Sequence, residues 1–123
     1  MKSINAIVLA LIPLISFCAF QQVSYQSDLT PIINNKCLEC HISPNGNGYR
    51  ATGLIMDSYD ALMQGSVYGP IIVAGDSQRS ILNMLVEGRA GNTQKNLHNS
   101  GNALTRDEIK LFRAWVEQGA LDN

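Results

Sequence analysis

The chain has 123 residues, the length of one ordinary domain. Nine Lys and Arg against ten Asp and Glu leave a net charge of −1, which excludes the basic surface that a nucleic-acid partner requires. Apolar residues at 46% with 15% charged fit a packed core, and three Cys are too few for a disulfide scaffold and odd in number.

The N-terminus reads as a targeting segment, residues 1–18. Lys2 supplies a positive charge, and Ile4 through Phe20 is apolar except at Asn5, Pro13 and Ser16. A charged start, a short apolar run and small residues near its end describe a secretory leader. A membrane anchor needs about 20 apolar residues, and Pro13 interrupts a run barely that long. Two fates stay open for Cys18: the end of a cleaved leader, or the lipidated Cys of a lipoprotein signal. Phe17 argues against the second, because that site wants a small residue, and only lipidation would tether the protein to a membrane. Without residues 1–18 the balance is 8 basic against 10 acidic, or −2, and residues 19–123 form the expected domain.

Ser27 to Lys36 predicts a helix, with Ser27 or Thr30 as cap and Pro31 tolerated in its first turn. Leu29, Ile32 and Ile33 fall on one face. It leads into Cys37-Leu38-Glu39-Cys40-His41, the C-x-x-C-H pattern of covalent c-type haem attachment. Two thiols a helical turn apart reach two vinyl groups on one edge of a porphyrin, and the adjacent His binds the iron. A Cys37–Cys40 disulfide would close too small a loop to stabilise much. A thioredoxin-like pair would want a βαβ setting, which no strand pattern provides. A zinc site from Cys37, Cys40, His41 and His98 has suitable ligands, but the neighbours Cys40 and His41 would have to bend onto one tetrahedral ion.

Residues 42–53, rich in Asn, Gly, Ser and Pro, read as loop. Asp57 to Met63 predicts a short helix with Tyr59 and Leu62 inward and Gly65 past its end. Val67 to Ala74, interrupted by Gly69-Pro70, reads as an extended connector. Asp76 or Ser77 is expected to cap a helix with Ile81, Leu82, Leu85 and Val86 as its apolar stripe, closed by Gly88. Residues 91–102 read as polar loop. Thr105-Arg106-Asp107-Glu108 is a capping box, flanked by a Leu104–Ile109 staple, that opens a last helix ended by Gly119. Ile109, Phe112 and Val116 form its stripe, widened by Leu111 and Trp115; Trp115 is expected beside the haem or the first helix.

Together these stretches resemble the small single-haem cytochrome c domains first catalogued in planctomycetes. The resemblance rests on Pro31-Ile32 before the haem motif, Gly53-Leu54, Ser58-Tyr59 and Ala61 to Gly65. It continues through Val73 to Ser77, Ser80-Ile81-Leu82, Leu104-Thr105 and Ala114-Trp115-Val116. It implies an all-α cytochrome c fold, with N- and C-terminal helices packed around one covalent haem, and electron transfer.

Members usually carry a Met-Pro pair before the Leu-Thr that opens the last helix, and that Met is the second axial ligand. Here Leu97-His98 stands in its place, so the resemblance and the affinity of iron for imidazole point to His98 as second ligand beside His41. The sulfur rivals are Met56, near a loop, and Met63 and Met84, both in positions that read as core. Arg50, Arg89 and Tyr49 lie in loops near enough to suggest haem propionates, but each reads better as solvated surface.

The sequence thus predicts an exported monohaem carrier of single electrons, in the periplasm or at the cell surface, with Cys37, Cys40, His41 and His98 holding haem c. Its partners would be redox proteins. Two other readings stand beside it: a haem peroxidase or small-molecule sensor with an open axial position, and a self-assembling subunit of an extracellular filament with stacked haems.

Overall fold

The computed structural model describes residues 20–91 and 103–123. The leader, Cys18, and residues 92–102 with His98 lie outside these. Among the described residues the chain is all-α: a π-helical turn and five short α-helices, with no strand and only an isolated bridge between Ser66 and Gly69.

The π turn spans Tyr25–Leu29 and runs into α1, Thr30–Lys36. The cap is Ser24, not Ser27 or Thr30: its Oγ accepts from the Ser27 N–H at 3.1 Å. The backbone N–H groups of Leu29 and Thr30 reach back five residues, to the Ser24 and Tyr25 carbonyls. Pro31 explains the wide turn, because its ring would otherwise press on the carbonyl four residues before it. Thr30 Oγ1 adds a bond to the Tyr25 carbonyl at 3.0 Å.

Residues read as loop contain α2, Asn47–Thr52, closed by Gly53 in the left-handed region at φ 69°. Then come α3, Tyr59–Gln64, and α4, Ile81–Val86. Ser58 caps α3 by accepting from the Ala61 N–H at 3.2 Å, and Gly65 ends it at φ 82°. A Cβ on Gly65 would lie 2.5 Å from the Gly69 carbonyl oxygen, so the return of the chain there needs glycine. α4 starts at Ser80 and not at Asp76 or Ser77. Asp76 instead accepts from the Arg79 N–H, and the buried Ser80 hydroxyl donates to the Asp76 carbonyl at 2.8 Å. The connector between Val67 and Ala74 is without helix or strand, as its Gly-Pro interruption predicts.

The last helix, α5, spans Arg106–Glu117 and carries the full capping box. Thr105 Oγ1 accepts from the Glu108 N–H, and the Glu108 carboxylate accepts from the Thr105 N–H at 2.6 Å. Phe112, Trp115 and Val116 of α5 are fully buried with Leu29 and Ile33 of the N-terminal element and Leu62 of α3. α5 touches both the π turn and α4. Trp115 goes to the first element: its ring lies 5.4 Å from Tyr25, and its indole N–H donates to the Leu121 carbonyl at 2.8 Å. Hydrogen bonds from Val23 to Gln118 and from Tyr25 to Asn123 close the two ends of the domain together.

Candidate functional site

Cys37 is the cap of α1, its N–H bonded to the Ile33 carbonyl at 2.9 Å. The chain then coils tightly, with the N–H groups of both Cys40 and His41 donating to the Cys37 carbonyl at 3.2 and 3.0 Å. Two further bonds fix this coil from outside. The Tyr49 N–H of α2 donates to the Cys40 carbonyl, and the Met56 N–H donates to the His41 carbonyl, each at 2.9 Å. The motif is thus held by α1 before it, α2 beside it and the segment after α2.

Two glycines make the arrangement possible. A Cβ on Gly46 would sit 2.4 Å from the Cys40 carbonyl oxygen. A Cβ on Gly48 would sit 2.5 Å from Cε1 of His41 and 2.8 Å from both ring nitrogens. The imidazole therefore lies on the bare backbone of α2, in a cradle that any side chain would fill.

Cys37, Cys40 and His41 line one cavity of about 620 Å³. That is the size of a pocket for a cofactor, within the usual range of about 300–1,000 Å³. Much of its wall is apolar: Leu54 and Ile71 contribute, and α4 turns Leu82, Leu85 and Val86 toward it. The stripe expected on α4 is therefore in part the lining of the cavity. Ile81, at 47% exposed, is not part of it.

The donor set fits a covalently held haem. Two thiols and an imidazole face one apolar cavity, and among the described residues no three His, Cys, Asp or Glu gather closely enough to hold a bare metal ion. Burial, and secondly the neighbouring Cys40, push the Cys37 thiol up to about 11. Thiols that work by redox exchange or bind metal as thiolates are shifted the other way.

Of the four expected cofactor-holding residues, three meet in this cavity, and His98 lies outside the described residues. Of the three Met weighed as iron ligands, Met56 is buried and lines the cavity, whereas Met63 packs against the core and Met84 is half-buried away from the lining. Arg89 does not line the cavity; it is paired with Glu87 and bonded to the Ser77 carbonyl. Two site residues escaped the reading of the sequence. Gly48 sits in an Asn-Gly-Asn-Gly run that signals only a turn. Lys36, half-buried on the cavity wall, donates to Glu108 at 2.9 Å across the fold.

Residues 37–93 match the family profile of the planctomycete cytochrome C. The match takes in the motif, α2, α3 and α4 and stops short of α5. No curated protein and no solved structure matches the chain. Among the described residues no helix is long and apolar enough to cross a membrane.

Proposed function

We propose that the protein is an exported, single-haem electron carrier; the support is the match of residues 37–93 to the planctomycete cytochrome C family, which implies haem-based electron transfer. The observation that carries the reading is the convergence of Cys37, Cys40 and His41 on one apolar cavity. Haem c, when bound, supplies an iron that alternates between ferric and ferrous states.

The chain's own residues do the rest. Cys37 and Cys40 would hold the haem through thioether bonds, each formed by adding a thiol S–H across a vinyl group, the sulfur to one carbon and the hydrogen to the other. His41 would ligate the iron; the hydrogen-bonded coil and the Gly48 cradle hold its imidazole in place before any cofactor binds. Leu54, Ile71, Leu82, Leu85 and Val86 keep water from the cavity and so favour the state of lower charge. A framework closed by the capping box and by the bonds between the two ends of the domain limits rearrangement when charge changes.

His98 is proposed as the second axial ligand. The support is its position in the sequence, where the resembling domains carry a ligand Met. Met56 is the rival, because it lines the same cavity. Export is supported by residues 1–18 and by the attachment of c-type haem outside the cytoplasm.

The test is intact-mass analysis of the chain expressed with haem-attachment machinery. One haem per chain, retained in denaturant, is expected, and Cys37→Ser with Cys40→Ser should abolish the retention. A chain that folds and exports without covalent haem would overturn the proposal.

A further inference from the structure

A haem in the cavity that gathers Cys37, Cys40 and His41 brings two charged groups with it, besides its apolar ring. The propionates sit on the pyrroles away from the vinyl edge, and a carboxylate drawn out of water needs donors in its place. The wall formed by Leu54, Ile71 and α4 offers none. Tyr49, Arg50 and Arg89, the loop residues that the sequence suggested for this task, do not line the cavity.

Outside the motif, the polar side chains on the lining are those of Lys36, Asn47, Thr52 and Tyr68, among the described residues. Three of the four are already engaged. Lys36 donates to Glu108 and to the Ala103 carbonyl. Thr52 Oγ1 donates to the Gly48 carbonyl at 2.7 Å and accepts from the Leu54 N–H at 3.2 Å. Asn47 accepts from the Arg50 guanidinium and stands at the start of α2, the end that holds Cys40. The Tyr68 hydroxyl bonds no group among the described residues.

Tyr68 also stands at the mouth, since it lines the cavity and is nevertheless 83% exposed. It belongs to a tight turn in which Ser66 and Gly69 exchange backbone bonds at 2.9 and 3.0 Å. Ser66 Oγ accepts from the Tyr68 N–H at 3.1 Å, and the Val67 N–H beside it donates to the Thr52 carbonyl at 2.8 Å. α2 therefore holds the motif at one end, from Tyr49 to Cys40, and the Tyr68 turn at the other, from Thr52 to Val67. A tyrosine suits such a place, because its apolar ring covers apolar surface while its hydroxyl stays at a wet rim.

Building on the haem reading, we propose that Tyr68 is a propionate anchor, its hydroxyl donating to a haem propionate at the mouth of the cavity. A hydrogen bond to the ionised carboxylate is charge-assisted and offsets negative charge that would otherwise act on the iron. Tyr68 thereby favours the ferrous form, acting through the propionate as a positioning residue and not as an iron ligand.

The test uses the holoprotein expressed with haem-attachment machinery, as wild type, Tyr68→Phe and Tyr68→Ala, with covalent haem first verified by intact mass. Resonance Raman spectra report the propionate bending bands, and potentiometry reports the potential. Both variants should shift the propionate bands alike. Each should move the redox equilibrium about threefold toward the ferric form, close to 30 mV for one electron. Haem-loaded Tyr68→Phe with wild-type bands and potential would overturn the anchor while leaving the haem reading in place, and a shift confined to Tyr68→Ala would assign Tyr68 to packing instead. A wild-type chain without covalent haem would overturn the haem reading and the anchor with it.

Discussion

Lys36 and Glu108 meet at 2.9 Å, which ties the residue immediately before Cys37 to the first turn of α5. The same ammonium donates to the Ala103 carbonyl at 3.0 Å, so one side chain holds the last turn of α1, the entry to α5 and part of the cavity wall. Both partners are mostly buried, with 17% and 22% of their side chains exposed, so solvent screens the pair less than an open surface pair. Lys36→Met should therefore cost about 1–2 kcal/mol, between the worth of an exposed pair and that of a buried charged hydrogen bond. Denaturant unfolding of the holoprotein measures it. A double-mutant cycle with Glu108→Gln should show coupling, whereas additive losses would mean that the two residues act separately.

Glu108 also gives the fold an acid limit. Its carboxyl is held below the ordinary 4.5, chiefly by the Thr105 backbone N–H and further by Lys36 and the Thr105 hydroxyl. A depressed carboxylate stabilises the fold fully above its unfolded value, and that contribution disappears as pH falls through the folded one. Stability should decline below about pH 4.5 in the wild type and decline less steeply in Glu108→Gln. Urea midpoints taken from pH 6 down to about pH 3 would show equal slopes if the capping box contributed nothing.

At the other end of the pH scale the relevant group is Tyr25. Burial first, then Asp122 and Asp57, push its phenol from 10.0 up to about 12. A raised pKa means that the unfolded chain loses this proton before the folded chain does. The neutral phenol's contribution is intact below pH 10 and is lost as pH rises toward about 12. Tyr25→Phe keeps the ring against Trp115 and removes the proton, so its unfolding midpoint should vary less than the wild type's across that window. A variant with the wild-type slope would assign the alkaline loss to other groups.

Gly48→Ala separates the ligand from the fold. The added methyl would stand 2.5 Å from the His41 ring, and the ring is the free end of a side chain, so the backbone can stay while the imidazole is driven from its place. Helix propensity even favours Ala at this position. Stability before haem attachment should change little, while the yield of holoprotein falls and its spectrum moves toward high spin. Normal spectra and yield would show that the cradle is not needed.

The parts of the fold legible in the sequence are those whose signals are local. The capping box at Thr105 and Glu108, the Gly65 end of α3 and the C-x-x-C-H string are short patterns carried by neighbouring residues. α2 is not of this kind. It has no buried residue, its cap at Gly46 offers no side chain, and it is held by the bond from Tyr49 to the Cys40 carbonyl. Tertiary contact therefore makes a helix from a segment whose composition reads as loop. The π turn escapes for a related reason, since Pro31 widens the turn before it and moves the cap from Ser27 to Ser24. Asp76 does accept from the Arg79 N–H as a cap would, but the turn over residues 77–79 does not continue into α4, which begins after Ser80. At the site, the three motif residues were legible together, but the Gly48 cradle and the reach of Lys36 to α5 depend on distances that no sequence pattern carries.

The measurement that bears most directly on the account is the absorption spectrum of the purified holoprotein, ferric and then dithionite-reduced. A covalently held haem with His41 and His98 on its iron predicts low-spin spectra without the weak far-red band of a sulfur–iron bond, and His98→Ala should turn them high-spin. The far-red band would place Met56 on the iron in place of His98. A chain with no covalent haem would contradict the central claim that Cys37, Cys40 and His41 form an attachment site.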